Sequence, residues 1–238
     1  MADPSASLPR RFYKTAVSEP FESEFAVMLD GRAVRTPRQA RLVLPTRKLA
    51  GLIAEEWAGQ GEAIALAEMP ATRLAFTAAD RIAGARDQTV REIVNFAGSD
   101  LLCYLADAPS SLVERQTRRW GAVLDWARED LGLEFVRVSG IIHQPQPAQT
   151  LDRVADIAGA VDDFALAGLA LAAGLFGSAV LALALWRDQL DGDAAFEFSR
   201  LDEAFQEEQW GVDDEAVART ARRRAEAEML DRWFRALR

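Results

Sequence analysis

The longest apolar stretch of the chain covers residues 164–186, FALAGLALAAGLFGSAVLALALW, and it holds no charged residue. A run of this length is typical of a membrane span. Its composition favours burial inside a protein, because Ala and Gly make up nearly half of it and Gly177 and Ser178 allow a turn near its middle. We therefore expect two short helices, about 164–175 and 178–190, buried on all sides in a helical domain. A membrane-spanning segment is the alternative.

Short strand-like runs occupy the first part of the chain. Residues 11–17 (RFYKTAV) and 25–29 (FAVML) are rich in aromatic and β-branched residues, which favour strands. Asp30-Gly31 follows the second run and is a strong hairpin signal, because a tight primed turn requires positive φ angles. Residues 32–36 and 41–44 continue the pattern. These runs predict a small β-rich region near the N-terminus.

Helical periodicity dominates the rest of the chain. Thr46 is a suitable N-cap, and Leu49, Ile53 and Trp57 follow at intervals of four residues. Trp57 completes this apolar stripe, so we expect it to be buried in a structural role. Residues 133–147 are an exception and predict a short extended piece followed by a rigid proline connector. The other predicted helices cover about residues 69–83, 86–97, 99–106, 110–131, 148–160, 193–209 and 213–237.

Together these patterns predict an α+β protein. We expect a small N-terminal β-rich domain, about residues 10–68, followed by a C-terminal helical bundle, about residues 69–238. A chain of 238 residues is long enough for a substantial core, and a composition of 50% hydrophobic and 27% charged residues is typical of globular proteins.

Few residues of the chain are suited to catalysis or metal binding. Cys103 is the single cysteine, so it cannot form an internal disulfide, and its apolar surroundings (LLCYL) predict a buried thiol. His143 is the single histidine, which excludes a multi-histidine metal site. The sequence lacks the common phosphate-binding, dinucleotide-binding and zinc-protease motifs. We expect neither enzymatic activity nor a metal or other cofactor.

Charge is distributed unevenly along the chain. The net charge is −9, and residues 187–215 alone hold eleven acidic residues against two arginines. The last predicted helix is rich in arginine, so the acidic and basic elements can pair with each other. The acidic excess argues against nucleic acid as a partner. The first residues lack the hydrophobic core of a signal peptide, and we expect a cytoplasmic protein.

The acidic stretch contains the candidate interaction site, LDEAFQEEQWG at residues 201–211. An aromatic residue beside acidic residues suits an interface anchor with a polar rim. The alternative is a core tryptophan that closes the helix end, with the acids forming a solvated face. Helical spacing places the candidate residues on two neighbouring stripes: Glu208 on the first, and Glu203, Glu207 and Trp210 on the second.

Several strings of the sequence resemble the ATP synthase assembly chaperones that bind the α subunit of the catalytic head, the family of ATPase assembly factor 2. They span most of the chain in the family's order. The matching strings are RFYK at 11–14, LDGRAVRTP at 29–37, LPTRKLA at 44–50, EEWAGQGEAI at 55–64, MPATRLAFTAADR at 69–81, DLLCYLAD at 100–107, RQTRRWGAVLDW at 115–126 and SRLDEAFQEEQWG at 199–211.

The resemblance implies a β-rich N-terminal domain, a C-terminal helical bundle and no enzymatic activity. It also implies that the protein binds the free α subunit until the β subunit replaces it. We expect a bacterial, cytoplasmic monomer that does not insert into membranes, with Glu203, Glu207, Glu208 and Trp210 facing the α subunit. From the residues alone, two other classes stay open: a hydrolase that uses helical carboxylates, and a membrane-associated interaction protein.

Overall fold

The N-terminal part of the chain folds into a small antiparallel sheet and helices make up most of the remainder, which confirms the predicted α+β class. The computed structural model describes residues 8–140, 142–211 and 213–238. The strands are β1 (Ala16–Phe21), β2 (Glu24–Leu29), β3 (Arg32–Ala33), β4 (Val43–Leu44), β5 (Tyr104–Leu105) and β6 (Val138–Ser139). The helices are α1 (Arg47–Ala58), α2 (Pro70–Thr77), α3 (Ala83–Gly98), α4 (Ser110–Leu131), α5 (Ala148–Ala160), α6 (Asp163–Phe176), α7 (Ala179–Trp186), α8 (Gly192–Ser199), α9 (Leu201–Trp210) and α10 (Asp214–Leu237).

The described residues group into two compact units. The first unit runs to Ala83 and also takes in Arg235–Arg238, whereas the second covers Gly84–Phe234. The first unit contains the β1–β4 sheet with α1 and α2, and the second contains the helices from α3 onward up to Phe234. The predicted domain ranges, 10–68 and 69–238, stay a prediction.

β2 is the central strand of the N-terminal sheet and pairs antiparallel with β1, β3 and β4. The predicted hairpin turn at Asp30-Gly31 is confirmed, because both residues have positive φ angles, 46° and 79°. The Asp30 carboxylate accepts hydrogen bonds of 2.9 Å from the amides of Lys14 and Thr15. The turn therefore also fixes the residues that precede β1.

The strand predicted at residues 11–17 is wrong in its position, because β1 covers Ala16–Phe21. β1 includes Glu19 and Pro20, which have low strand propensity. It lies at the edge of the sheet and pairs with β2 alone among the described strands, so Pro20 interrupts no second ladder. β3 and β4 have two residues each and are shorter than the runs that predicted them.

Trp57 is buried at the end of α1, as expected, with 7% of its surface exposed. Thr46 caps the helix by accepting a hydrogen bond from the Leu49 amide, and Leu49 and Ile53 are fully buried on the same stripe. The Tyr13 ring lies edge-on to Trp57 at a centroid distance of 5.8 Å, and its hydroxyl donates to the Trp57 carbonyl at 2.8 Å. These contacts are consistent with a structural role for Trp57, which stays a prediction.

The helix predicted over residues 99–106 is wrong. Leu101–Cys103 form a single 3₁₀ turn, and Tyr104–Leu105 form β5, which pairs parallel with β6. The Asp100 side chain accepts a hydrogen bond from the Leu102 amide, and such a local side-chain bond competes with helix continuation. β6 lies in the segment 133–147 that was expected to be extended, of which Ile141 lies outside the described residues.

The single helix predicted over residues 193–209 is also wrong, because the chain forms two helices there. α8 and α9 are separated at Arg200, whose φ of −122° and ψ of 24° depart from helical values. Just before the break, the Ser199 hydroxyl donates to the Phe196 carbonyl at 2.7 Å. The break ends α8 at Ser199, and α9 begins as a separate helix at Leu201.

The long apolar stretch forms two buried helices, as the sequence predicts. α6 ends at Gly177, which has a φ of 64° in the left-handed region that favours glycine, and α7 begins after Ser178. Every residue of α7 from Ala179 to Leu185 is buried. In the part of the chain that the structure describes, no helix is long and apolar enough to cross a membrane.

Asp100 is fully buried and holds the start of α7. Its Oδ1 atom accepts a hydrogen bond of 2.7 Å from the Ser178 hydroxyl, and its Oδ2 atom accepts one of 3.0 Å from the Val180 amide. Ser178 in turn accepts from the Leu181 amide at 3.0 Å. Two side chains therefore satisfy amides at the N-terminus of a helix that has no access to water. The neighbouring Cys103 thiol is buried, as predicted, and burial raises its pKa to about 12.

We predict that the contribution of Asp100 to the free energy of unfolding falls as the pH rises from about 4 to about 6. Burial raises the pKa of Asp100 from its ordinary 3.8 to about 6, against the opposing hydrogen bonds from Ser178, Val180 and Leu102. Within this range the folded protein binds more protons than the unfolded chain, so stability is lost as Asp100 ionises. A rise of two pKa units corresponds to about 3 kcal/mol. Urea denaturation across this range measures the fall.

The control is Asp100→Asn, which cannot titrate at this position. The unfolding free energy of the wild type, relative to that of the variant, should fall between about pH 4 and 6 and level off above that range. Parallel profiles for the two proteins would contradict the assignment of this pH dependence to Asp100.

Candidate partner-binding site

Polar side chains help to attach α9 to α4 of the helical unit. Leu201 is its one fully buried residue. Gln116 of α4 is fully buried and bridges two groups: its Nε2 donates to Asp202 at 2.6 Å, and its Oε1 accepts from the Ala106 amide at 2.8 Å. Burial raises the pKa of Asp202, and the hydrogen bond from Gln116 opposes this rise. The start of α9 is therefore fixed by a buried amide.

Glu208 forms an ion pair with Arg115 of α4, with 2.7 Å between Arg115 Nη1 and Glu208 Oε1. The guanidinium carbon of Arg115 also lies 5.2 Å from the centroid of the Phe205 ring. The hydrogen bond from Arg115 lowers the pKa of Glu208. Arg115 is partly exposed, at 33%, and Glu208 is exposed, at 52%, so solvent screens this pair, which contributes little to stability and can exchange partners.

Glu207 forms a second ion pair, with Arg200 at the start of the same helix. The distance from Arg200 Nη2 to Glu207 Oε1 is 2.5 Å, and Arg200 is the more buried partner. The Arg200 guanidinium carbon also lies 5.8 Å from the centroid of the Phe196 ring of α8. This pair ties the end of α9 back to the break between α8 and α9.

Trp210 is the last residue of α9 and 80% of its surface is exposed. The alternative that this tryptophan closes the helix end inside the core is therefore wrong. Glu203 is also exposed and forms no ion pair with any residue in the described ranges. The helix thus presents a large aromatic side chain together with carboxylates, one of them unpaired within the described structure.

The four residues predicted for the site all lie on α9, but their surroundings differ. Glu207 and Glu208 contact arginines of the protein itself, whereas Glu203 and Trp210 point to solvent. Sequence reasoning missed Arg115 as the partner of Glu208, because residues 93 positions apart give no local signal. It missed the role of Gln116 as well, although a polar residue on an otherwise apolar stripe of α4 was a detectable sign.

The chemistry of this surface is suited to binding rather than to holding a metal. Within the described ranges, no group of three or more His, Cys, Asp or Glu side chains is placed to hold a metal ion. The exposed groups are an indole, which can bury a large apolar area, and carboxylates, which can receive cationic groups. We name this set, Glu203, Glu207, Glu208 and Trp210, the α9 surface.

Comparison with known proteins places the chain among assembly-type chaperones of one family. Residues 10–128 match the family model described as ATP12 chaperone protein. The mitochondrial protein atp12 of Schizosaccharomyces pombe is 22% identical over 219 residues, covering 87% of this chain and 75% of that protein. The chain therefore belongs to the ATP12 chaperone family, which confirms the resemblance stated from the sequence.

Solved structures support the same relationship. The crystal structure of Atp12 from Paracoccus denitrificans is 37% identical, covers 97% of this chain and 99% of its own, and superimposes with a TM-score of 0.90. An aspartate-to-lysine mutant of the same bacterial protein gives a TM-score of 0.91 at 37% identity, over 98% of this chain and all of that one. The Atu1473 protein of Agrobacterium tumefaciens is 39% identical, with a TM-score of 0.90 over 97% of this chain and 87% of its own.

We predict that Gln116→Leu destabilises the protein and loosens α9. The substitution keeps the size of the side chain but leaves the Ala106 amide and the Asp202 carboxylate without their partner. Removing one partner from buried polar groups costs about 2 kcal/mol. Urea denaturation measures this loss, and hydrogen exchange should become faster in α9 before other helices are affected.

Gln88→Leu provides the matched control, because Gln88 is exposed on α3 and bonds only to the side chain of Glu92 among the described residues. Its unfolding free energy and its α9 exchange rates should remain at wild-type values. Equal effects of the two substitutions would show that Gln116 does not anchor α9.

Proposed function

We propose that this protein is an assembly chaperone that binds the free α subunit of ATP synthase and covers the surface of α that later contacts the β subunit. The β subunit then replaces the chaperone. Membership of the ATP12 chaperone family supports the chaperone role. The choice of the α subunit rests on the family resemblance of the sequence strings and is part of the proposal.

The observation that carries the proposal is the exposure of Trp210 on an acidic helix. A tryptophan that is 80% exposed leaves a large apolar area in water, and burying it against a partner is favourable. Aromatic residues surrounded by polar groups are typical anchors of protein interfaces. Acidic residues around the anchor favour a partner surface that combines an apolar pocket with basic groups.

A chaperone of this kind must bind firmly enough to protect its partner and weakly enough to be displaced. A free subunit exposes the apolar patch meant for its neighbour, and such patches are prone to aggregation. One aromatic anchor with a charged rim buries little area compared with a permanent subunit interface. The α9 surface therefore suits a temporary complex.

We also propose that the protein acts as a monomer in a bacterial cytoplasm and does so by binding alone. The bacterial relatives from Paracoccus and Agrobacterium, at 37% and 39% identity, support a bacterial setting. The strongly acidic composition, with a net charge of −9, disfavours nucleic acid as a competing partner.

We predict that the protein co-elutes with purified ATP synthase α subunit in size-exclusion chromatography, in a complex of one copy of each. Adding the β subunit should release the chaperone, because β and the chaperone cover the same surface of α. Light scattering of the eluted peak gives the stoichiometry. Absence of co-elution at micromolar concentrations would reject the proposed function and leave a relationship of family and fold.

We predict that Trp210→Ala weakens α binding by about 30-fold or more, as expected for loss of an interface anchor worth about 2 kcal/mol. Glu208→Lys should weaken it too, since the new cation faces the basic groups of the partner and also repels Arg115. Isothermal titration calorimetry measures both affinities, and circular dichroism confirms that both variants are folded.

Glu129→Lys is the matched control for Glu208→Lys. Glu129 is an exposed glutamate of the same unit and is ion-paired with Arg128, but it lies at the far end of α4 from Arg115. The control should bind α like the wild type. Wild-type affinity in folded Trp210→Ala and Glu208→Lys proteins would place the α contact elsewhere.

A further inference from the structure

A basic region without any acid lies in the N-terminal unit of this acidic protein. Residues 31–54 contain no Asp or Glu, although the whole chain has a net charge of −9. The four arginines of its first part are all exposed, so their charges face solvent. The six cations of this region are Arg32, Arg35, Arg38, Arg41, Arg47 and Lys48.

The arginines lie on a short hairpin whose other face is buried. Val34 and Leu42 point inward, and the Leu42 amide donates to the Val34 carbonyl at 2.9 Å. Arg35 and Arg41 are directly opposite each other in an antiparallel bridge. Alternation along the two strands places both on the solvent face, with Arg38 in the connecting turn. We name residues 32–41 the basic hairpin.

Two like charges directly opposite each other on a sheet are destabilising. The hairpin relieves this repulsion through neutral groups: Arg35 donates to the Gln39 carbonyl at 2.6 Å, and the guanidinium carbon of Arg41 lies 4.1 Å from the centroid of the Phe21 ring. No described carboxylate forms an ion pair with Arg35 or Arg41. Their positive charge is therefore uncompensated by the described part of the protein.

Arg38 lies in the turn of the basic hairpin and is exposed. Its backbone amide donates to the Asp80 carboxylate at 3.0 Å, but its side chain forms no ion pair with a described residue. The helical unit differs, because arginines such as Arg86, Arg200 and Arg224 are paired with acids there. The forked guanidinium groups of the hairpin remain available for carboxylates.

We propose that the basic hairpin is a second docking surface, which receives an acidic patch on the same ATP synthase α subunit. This inference rests on the proposed function. Guanidinium groups on a rigid hairpin suit carboxylates of a folded protein surface, because the paired geometry is fixed in advance. A long polyanion is disfavoured, since the net charge of −9 repels nucleic acids and anionic membranes at long range.

Complementary charges on two proteins raise their association rate and suppress binding to wrong partners. In this proposal the basic hairpin speeds the encounter with the acidic patch, whereas Trp210 supplies the burial of apolar surface.

The test is Arg38→Glu, measured by the association kinetics of α on biosensor-immobilised chaperone at several salt concentrations. The variant should bind about tenfold more weakly, mainly through slower association, and its affinity should depend less on salt. Arg38→Lys keeps the charge and should largely restore binding. Arg73→Glu has the same charge change at an exposed position of α2 in the same unit, and it should bind like the wild type.

The outcomes separate the two proposals. If wild-type protein fails to bind α, the proposed function fails and this inference with it. If wild-type protein binds and folded Arg38→Glu protein has the same kinetics and salt dependence as Arg73→Glu, the second docking surface alone is overturned. A third outcome is that the wild type binds vesicles rich in phosphatidylglycerol and that Arg38→Glu loses this binding but still binds α. That result would assign the basic hairpin to lipid and would also overturn the second docking surface.

Discussion

The helical unit depends on the buried carboxylate of Asp100. α7 is buried along almost its whole length, and the amides of its first turn cannot reach water. Asp100 and Ser178 supply the missing acceptors, and the Leu101 amide donates to the Gly177 carbonyl at 3.2 Å. The turn between α6 and α7 is thereby joined to the segment that leads into β5 and α4. An apolar helix pair of this kind becomes possible only with these few polar contacts.

Small residues let other helices approach this buried pair closely. A Cβ atom added at Gly168 of α6 would lie 2.8 Å from the Phe234 ring and 2.9 Å from Trp233 Nε1. The Trp233 indole donates to the Phe164 carbonyl at 3.2 Å, so this large side chain is packed and hydrogen-bonded. At Gly168, a small residue in the apolar stretch 164–186 is therefore a packing requirement.

Local sequence signals predict local structure well, but they do not predict polar contacts between residues far apart in the chain. The Asp30-Gly31 turn and the division of the apolar stretch at Gly177 follow from residues that need positive φ angles. The misplaced helix at 99–106 has a different cause: Asp100 serves a helix 80 residues away, which no periodicity reveals. The α9 surface follows the same rule, since its residues could be predicted but the contact of Glu208 with Arg115 could not.

The attachment of α9 also determines what its groups can contribute to a complex. A basic group of a partner that approaches Glu208 must displace Arg115, so one exposed ion pair replaces another and the net gain in affinity is small. The exchange still favours a partner that places a cation beside Glu208. It also frees Arg115 to pair with a nearby acid of the partner. Trp210 differs from Glu208, because 80% of its surface is already exposed and a partner can cover it without first displacing an ion pair. In the proposed complex the indole therefore supplies most of the affinity, whereas the carboxylates set position and orientation. A binding energy concentrated in one side chain is one that a competing subunit with a larger interface can overcome.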